Sequence, residues 1–159
     1  MLSDGDIIAN RYKVLEKVGS GRTSVVYRGE DTQTGNTVAL KSIRREYLTS
    51  NPDGTMRFMR EGAVLKQLDH PHVIHVYETI DKVDDSYIVM EYLSGGSLEY
   101  RLTLSGALPI PQALSIGQKV ASGLAYLHDF KIIHRDLTPA NIMFDDHDEP
   151  QILDLGVAH

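Results

Sequence analysis

The hydrophobic pattern of the chain changes character near residue 91. Before that point the sequence carries short runs of β-branched and aromatic residues, separated by glycine-rich or polar turns. Such runs predict strands, and turns this short predict antiparallel neighbours. We therefore expect a three-stranded meander followed by a further pair of strands. The predicted strands are residues 12–18, 23–30, 37–43, 73–80 and 86–92.

One helix is predicted before residue 91, at 56–68. Phe58, Glu61 and Leu65 recur there at helical spacing and fall on one face. A carboxylate within an apolar stripe costs free energy unless a cation pairs with it. Lys41, in a predicted strand, is most simply an edge lysine that extends into solvent, and alternatively an inward phosphate ligand. An ion pair between Lys41 and Glu61 would account for both residues, and we predict it.

After residue 91 the pattern is mainly helical. Ser97 is a suitable cap for a short helix that ends near Leu102. Pro111 suits the first turn of a long helix at 111–130, which carries an apolar stripe. The remainder is predicted as loop, with short strands at residues 132–133, 142–144 and 151–153.

Composition narrows the possible functions. The chain has 159 residues, of which 42% are hydrophobic and 24% charged, as in ordinary folded domains. Its net charge of -6 argues against a nucleic-acid partner, which requires a basic face. The absence of cysteine excludes disulfides, thiolate metal sites and a cysteine nucleophile, and fits a cytoplasmic location. We expect neither a signal peptide nor a membrane segment.

The first motif with chemical content is a glycine-rich stretch, Gly19-Ser20-Gly21-Arg22-Thr23-Ser24. As an isolated match it is most simply an ordinary turn. A dinucleotide-binding fold is excluded because strand-like residues, rather than a helix, follow the glycines, and a Walker loop is excluded because no G-K-[ST] is present. The remaining alternative is a hairpin whose backbone N–H groups can approach phosphate closely.

The most informative stretch is His134-Arg135-Asp136-Leu137-Thr138-Pro139-Ala140-Asn141, with Asp154-Leu155-Gly156 eighteen residues after Asp136. Asp136, Asn141 and Asp154 carry the hard oxygen atoms that bind Mg²⁺ together with phosphate. Ordinary loop turns would explain any one of these residues, but not the whole set.

Two other polar clusters are given structural interpretations. His70, His72 and His75 are spaced like metal ligands, but we favour a non-metal joint after the helix at 56–68. The acidic segment 145–149 lacks the glycine and the final glutamate of an EF-hand loop, so we interpret it as a solvated turn between two short strands.

The order of these motifs resembles the catalytic domain of eukaryotic-type serine/threonine protein kinases, in a form typical of bacteria. In that family a glycine-rich hairpin precedes V-A-x-K, a helix glutamate, a hinge, H-R-D-L-x-x-x-N and D-x-G. Val38-Ala39-Leu40-Lys41 and Glu61 match the second and third motifs. The resemblance implies an α+β fold with a five-stranded antiparallel N-lobe sheet and one helix, then a truncated, mainly helical C-lobe. The implied parts are the N-lobe at 1–90, the hinge at 91–96 and a partial C-lobe at 97–159.

The resemblance also implies transfer of the γ-phosphoryl group of ATP, with Mg²⁺, to a protein hydroxyl. Lys41, held by Glu61, would contact the α- and β-phosphates. Asp136 would orient the substrate hydroxyl and accept its proton, while Asn141 and Asp154 would hold Mg²⁺. The other implied nucleotide contacts are the phosphate-facing Gly19, Ser20 and Gly21, the adenine-facing Val18, Val26, Ala39 and Met143, and the backbone of Glu91 and Leu93.

Several features depart from the family pattern. Ser24 replaces the third glycine, and Leu155 replaces phenylalanine in D-F-G. Thr138 stands where these kinases usually have a lysine that contacts the γ-phosphate, so its cation is missing. The chain stops five residues after Asp154, before the activation segment. We therefore expect the apolar stripe of the helix at 111–130 to be partly exposed and to support self-association.

Two other functions stay open. The chain would be a catalytically inactive kinase-like module if it bound nucleotide or a protein partner without transferring phosphate. A small-molecule phosphotransferase is a weaker alternative, because the V-A-L-K, H-P-H and H-R-D-L-T-P-A-N motifs resemble protein kinases more closely.

Overall fold

A computed structural model of the chain describes residues 2–81 and 86–154. The chain divides into two compact units. The first comprises Met1–Gln67 and Val76–Tyr92, and the second comprises Leu68–His75 and Leu93–His159. Most of the predicted turn at 81–85 falls outside the described residues. Leu155 and Gly156 of the D-x-G motif fall outside them entirely.

The first unit is built on a six-stranded antiparallel sheet, rather than the five-stranded sheet that the family resemblance implied. The additional strand has only two residues and pairs with the start of the next strand, so it is too short to show an alternating pattern. The strands, in the spatial order β1-β2-β3-β4-β6-β5, are β1 Ile7–Ile8, β2 Tyr12–Ser20, β3 Ser24–Asp31, β4 Thr37–Ile43, β5 Val76–Asp81 and β6 Ser86–Glu91.

Strand β5 begins three residues later than predicted. Val73 and Ile74 instead belong to the second unit, where both residues engage Ile152. The Ile74 N–H donates to the Ile152 carbonyl at 3.0 Å. Their backbone groups are therefore satisfied outside the sheet, which the run of apolar residues could not reveal.

The two faces of the sheet have different surroundings. Leu40 and Val89 are paired neighbours on one face and lie within a hydrophobic core of buried residues. Because side chains alternate along a strand, Lys41 lies on the opposite face, between its register partners Val26 and Ile88.

The first unit has two helices, rather than the single helix implied by the resemblance: α1 at Arg45–Ser50 and α2 at Gly54–Leu65. None of the α1 residues is buried, so α1 lacks the apolar face that helical periodicity detects. Helix α2 packs closely on the sheet at Gly62. A Cβ atom at Gly62 would lie 2.5 Å from Cγ2 of Thr79 and 2.9 Å from Cγ1 of Ile88. Only glycine permits this approach.

A charged network joins three strands of the first unit. Arg11 donates from Nε and Nη2 to both carboxylate oxygens of Asp31, at 2.9 Å and 2.7 Å. Its Nη1 lies 3.3 Å from Oε1 of Glu78, which also accepts the hydroxyl of Tyr12. The Arg11 guanidinium holds the pKa of the Asp31 carboxyl well below its usual range. Burial and the Glu78 contact raise the pKa of the Tyr12 hydroxyl.

The second unit contains helices α3 at Leu98–Ser105 and α4 at Ile110–Asp129. The predicted cap is confirmed, since Oγ of Ser97 accepts the Tyr100 N–H at 3.1 Å, although α3 continues past Leu102. Helix α4 matches its predicted bounds to within one residue. A 3₁₀ turn at Pro139–Asn141 follows, and then the hairpin of β7 at Ile142–Phe144 and β8 at Pro150–Ile152.

The predicted strand at 132–133 is wrong. The Ile132 N–H donates to the Leu127 carbonyl at 2.9 Å, and Lys131 between them has a φ of 61°. This left-handed residue and its bond close the end of α4, so the Ile132 N–H is not available to a strand partner.

Within the second unit, helix α4 packs closely on its neighbours at another glycine. A Cβ atom at Gly123 would lie 2.8 Å from the His72 carbonyl oxygen and 3.0 Å from Cδ1 of Ile152. Leu127 and Ile152 are fully buried in this unit. Among the helices of residues 2–81 and 86–154, none combines the length and the apolar character needed to cross a bilayer.

Candidate functional site

The glycine-rich stretch forms the tip of the β2–β3 hairpin. Gly19 pairs with Val26, and the Gly21 N–H donates to the Ser24 carbonyl at 2.9 Å. The prediction that a strand follows the glycines is therefore confirmed. Val18 is exposed beside the hairpin tip.

The tip is also tied to the end of the Lys41 strand. The Arg44 N–H donates to the Thr23 carbonyl at 2.8 Å, and Nε of Arg44 donates to the Gly21 carbonyl at 2.8 Å. Nη2 of the same side chain donates to the Ser20 hydroxyl. Sequence reasoning missed Arg44, because an arginine after a strand carries no distinctive signal.

The predicted ion pair between Lys41 and Glu61 is confirmed. Nζ of Lys41 lies 2.9 Å from Oε1 of Glu61, and Lys41 is only 7% exposed. Strand β4 has a neighbour on each side, β3 and β6, so the edge-lysine interpretation is wrong. Helix α2 presents Glu61 one residue before the close contact at Gly62, and that contact is made with Ile88, the register partner of Lys41.

Beside Lys41, the same face of β4 carries Ala39, which is buried and pairs with Met90 of β6. Glu91, the next residue, ends β6 and is half-buried. The Tyr77 hydroxyl has a raised pKa, caused first by burial and then by the Glu91 carboxylate. Leu93 is buried and belongs to the second unit.

The stretch from His134 forms a strained turn in the second unit. The Asp136 N–H donates to the His134 carbonyl at 2.9 Å, and the intervening Arg135 has a φ of 66°. A three-residue turn with positive φ at its centre is the rare form of the γ-turn and costs about 1–3 kcal/mol at a non-glycine residue. Such strain concentrates at functional sites.

The buried ring of His134 connects this turn to the end of β8. Nδ1 of His134 accepts the Asp136 N–H at 3.3 Å, so the ring hydrogen resides on Nε2. Nε2 lies 2.8 Å from the Leu153 carbonyl and donates to it. One imidazole thus fixes the backbone at Asp136 and at the residue before Asp154.

Asn141 also links the segment of Asp136 to the segment before Asp154. Its Nδ2 donates to the Asp136 carbonyl at 2.8 Å, and its backbone carbonyl accepts the Leu153 N–H at 2.9 Å. Because the amide nitrogen is used in this way, Oδ1 is the atom of the Asn141 side chain that can bind a cation. Asp154 follows Leu153 with a φ of 53°. The structure therefore brings Asp136, Asn141 and Asp154 together within the second unit.

Met143, two residues after Asn141, lies in the centre of β7. It pairs with Gln151 of β8 and forms a bridge with Ser97, and it is half-buried. Of the predicted nucleotide contacts, Met143 and Leu93 belong to the second unit. The others belong to the first: Val18, Gly19, Ser20, Gly21, Val26, Ala39, Lys41 and Glu91.

The two polar clusters interpreted as structural have local roles. Nδ1 of His70 accepts the His72 N–H at 3.1 Å, and the His70 ring stacks on Tyr126 with 5.0 Å between ring centroids. Burial, and then the neighbouring His72, lower the pKa of His70.

Oδ1 of Asp145 accepts the backbone N–H groups of His147 and Glu149 at 2.9 Å and 2.8 Å, so the interpretation of 145–149 as a turn is confirmed.

Comparison with known proteins agrees with this geometry. A family model described as "Protein kinase domain" matches residues 12–159. The serine/threonine-protein kinase PrkC of Bacillus subtilis is 36% identical over 154 residues, which are 97% of this chain and 24% of PrkC. A probable serine/threonine-protein kinase of Clostridium perfringens is 37% identical over 97% of this chain and 22% of its own length. The chain thus spans about a quarter of these relatives.

A solved structure supports the same conclusion. The chain is similar to Rad53 residues 1-466 in complex with AMP-PNP, with a TM-score of 0.79 and 31% identity over 92% of this chain and 38% of that chain. The kinase-like α+β class implied by the sequence is confirmed, with six strands and two helices in its first unit. The chain belongs to the protein kinase domain family.

Proposed function

We propose that the chain carries the ATP-binding and catalytic residues of a protein serine/threonine kinase, which transfers the γ-phosphoryl group of ATP to a protein hydroxyl. The observation that carries this proposal is the hydrogen bonding of Asn141, which gathers the segments of Asp136 and Asp154. Phosphoryl transfer depends mainly on positioning and charge neutralisation. Oxygen ligands that these hydrogen bonds hold near a substrate base suit both needs.

In this proposal Asp136 orients the substrate hydroxyl and accepts its proton. The residues present fit Mg²⁺, because Oδ1 of Asn141 and the Asp154 carboxylate are the hard oxygen donors that this ion prefers. Bound Mg²⁺ neutralises charge on the phosphate oxygens. Lys41 contacts the α- and β-phosphates, and Glu61 fixes the position of its ammonium group.

The remaining residues bind the nucleotide. We assign phosphate contacts to the hairpin tip, apolar contacts with adenine to four side chains, and hydrogen bonds with the adenine edge to the backbone of the hinge at 91–96. This hinge separates an N-lobe at 1–90 from a partial C-lobe at 97–159. The residues in these three groups are Gly19, Ser20 and Gly21; Val18, Val26, Ala39 and Met143; and Glu91 and Leu93.

ATP and a protein substrate are the proposed partners, without nucleic acid. ATP as phosphoryl donor also favours the cytoplasm as the location of the chain. Self-association is proposed through α4. Ile116, Val120 and Leu127 of its predicted stripe are buried, so most of the stripe is covered within the chain. The contact would instead use Ile110 and Leu114, which are 76% and 63% exposed. Light scattering should then show a particle larger than 17.7 kDa, and Leu114→Glu should restore the monomer. A monomer before substitution would contradict this part of the proposal.

A second candidate is a kinase-like module that binds nucleotide but transfers no phosphate. The observation that favours it is Thr138, which takes the place where the family pattern has a lysine cation. Losing a cation that faces the transferred phosphate removes stabilisation of the transition state, while ground-state binding is largely retained. Thr138→Lys should therefore increase transfer if the chain is catalytic.

One pair of measurements tests both candidates. Mg²⁺-ATP at ~100 times its dissociation constant should stabilise the chain by about 2.7 kcal/mol, which raises the melting temperature by roughly 5–11 °C. Lys41→Met should abolish this shift, whereas Asp136→Ala should retain it. Transfer of radioactive phosphate to casein should be lost in both variants. Binding without transfer in the unmutated chain would favour the second candidate. Absence of nucleotide binding would overturn the kinase proposal and leave only the form of the second candidate that binds a protein partner.

A further inference from the structure

One side chain outside the predicted site holds the tip of the glycine-rich hairpin. Arg44 immediately follows β4, and its N–H extends the strand ladder by donating to the Thr23 carbonyl at 2.8 Å. Its guanidinium donates from Nε to the Gly21 carbonyl at 2.8 Å and from Nη2 to the Ser20 hydroxyl. Three hydrogen bonds from one residue therefore reach the tip, and all of these residues lie in the first unit.

We propose that Arg44 is a positioning residue for nucleotide phosphates, because it orders the hairpin before the nucleotide binds. The inference rests on the proposed kinase function. Glycine loses more backbone freedom than any other residue when it is fixed, so the tip carrying Gly19 and Gly21 is costly to order. A clamp that is already in place removes part of this cost from the binding step.

The clamp also orients a peptide group. The described residues contain no cis peptide bond, and in a trans peptide the C=O and N–H groups point in opposite directions. Because the Gly21 carbonyl points to the Arg44 guanidinium, the Arg22 N–H points to the side away from Arg44. Phosphate requires donors and repels carbonyl oxygens, so a fixed peptide of this kind favours phosphate on one side only.

The side chain of Arg44 has no competing role in the helix that follows. Arg44 occupies the N-cap position of α1, but its side chain makes no capping hydrogen bond there. Arginine is suited to the hairpin contact, since its planar fork donates from two nitrogen atoms at a fixed angle. A lysine would keep the positive charge but would present a single nitrogen.

Two measurements test the proposal on the whole chain. Hydrogen exchange without nucleotide reports whether residues 19–24 are ordered by Arg44. Isothermal titration with Mg²⁺-ATP and with adenosine separates phosphate binding from adenine binding. The variants are Arg44→Ala, Arg44→Lys and Ser20→Ala. Arg57→Ala on α2 is the matched control, because it removes an exposed arginine from the same unit.

We expect faster exchange at residues 19–24 in Arg44→Ala than in Arg57→Ala. The dissociation constant for Mg²⁺-ATP should rise by about three- to tenfold in Arg44→Ala and by less in Arg44→Lys and Ser20→Ala, while that for adenosine stays constant. Should Arg44→Ala fail to fold, Arg44→Lys carries the same comparison, because Ser20 is itself assigned a phosphate contact.

Unchanged exchange at the hairpin, or equal weakening of ATP and adenosine, would overturn the role of Arg44 while leaving the kinase proposal intact. An unmutated chain that bound adenosine and ATP equally, or neither, would instead overturn the proposed function and the phosphate role of the hairpin together.

Discussion

The ammonium group of Lys41 and the carboxylate of Glu61 lie 2.9 Å apart, although the two residues are twenty positions apart in the sequence. Their side chains are only 9% and 15% exposed. Burial of two charges is costly, and removal of one partner from a buried pair destabilises more than replacement of both by apolar residues. The pair is therefore weak evidence for stability, and it fits the phosphate contact proposed for Lys41.

Glu61→Gln should destabilise the chain by about 3 kcal/mol, because it removes the charged partner of the largely buried Lys41. The double variant Lys41→Met, Glu61→Leu should recover most of this loss, since both charges are then replaced by apolar side chains. Urea denaturation measures the two free energies of unfolding. A double variant as unstable as Glu61→Gln would contradict this account. The double variant should nevertheless not bind Mg²⁺-ATP.

Gly62→Ala should destabilise the first unit by about 1–3 kcal/mol. The added Cβ would lie 2.5 Å from Cγ2 of Thr79, so α2 must move away from the sheet and carry Glu61 with it. The matched control is Gly117→Ala on α4, where a Cβ meets no atom within 4 Å. Helix propensity alone should stabilise that variant by up to about 1 kcal/mol. Equal effects of both substitutions on the thermal midpoint would refute the packing argument.

The stability of the chain should fall as the pH drops below about 6.5, with a contribution from His70. Burial lowers the pKa of His70, so near pH 6 the unfolded chain binds more protons at this site than the folded chain. Stability therefore rises with pH across that window and is lost below it. His70→Asn should reduce the difference in unfolding free energy between pH 5.5 and 7.5. An unchanged difference in His70→Asn would contradict this assignment.

Asp31 should provide stability that is lost at acid pH. Its folded pKa is depressed by the Arg11 guanidinium, so the stabilisation is complete above the unfolded value of about 3.9 and declines as the pH falls. Asp31→Asn should lower stability at pH 7 and flatten its acid dependence below pH 5. Denaturation curves at pH 3, 5 and 7 test this prediction, which fails if the two proteins differ equally at every pH.

The sequence predicted those parts of the molecule where two independent signals coincide. Glu61 in an apolar stripe and Lys41 in a strand were each ambiguous, but one ion pair explained both, and it is present. Strand β1 and helix α1 were not predicted, because a two-residue strand has no alternation and α1 buries none of its residues. The predicted strand at 132–133 failed because the Ile132 N–H closes α4.

The candidate site shows the same limit. The residue types at Asp136, Asn141 and Asp154 were visible in the sequence as a motif. The positive φ of Arg135 was not, since arginine has no preference for that conformation. The contact of Arg44 with the hairpin depends on a side-chain direction after the end of β4, which neither composition nor periodicity encodes.

The imidazole of His134 has a consequence for how this part of the chain can evolve. One ring bonds both the Asp136 N–H and the Leu153 carbonyl, so the turn at residues 134–136 is tied to the residue that follows β8, although the two are separate in sequence. The bond is made to a backbone carbonyl, so it constrains the backbone position at Leu153 and not the identity of that residue. Changes in either segment that shift one backbone relative to the other should therefore disturb this site, and β7, which lies between them and pairs with β8, shares that constraint.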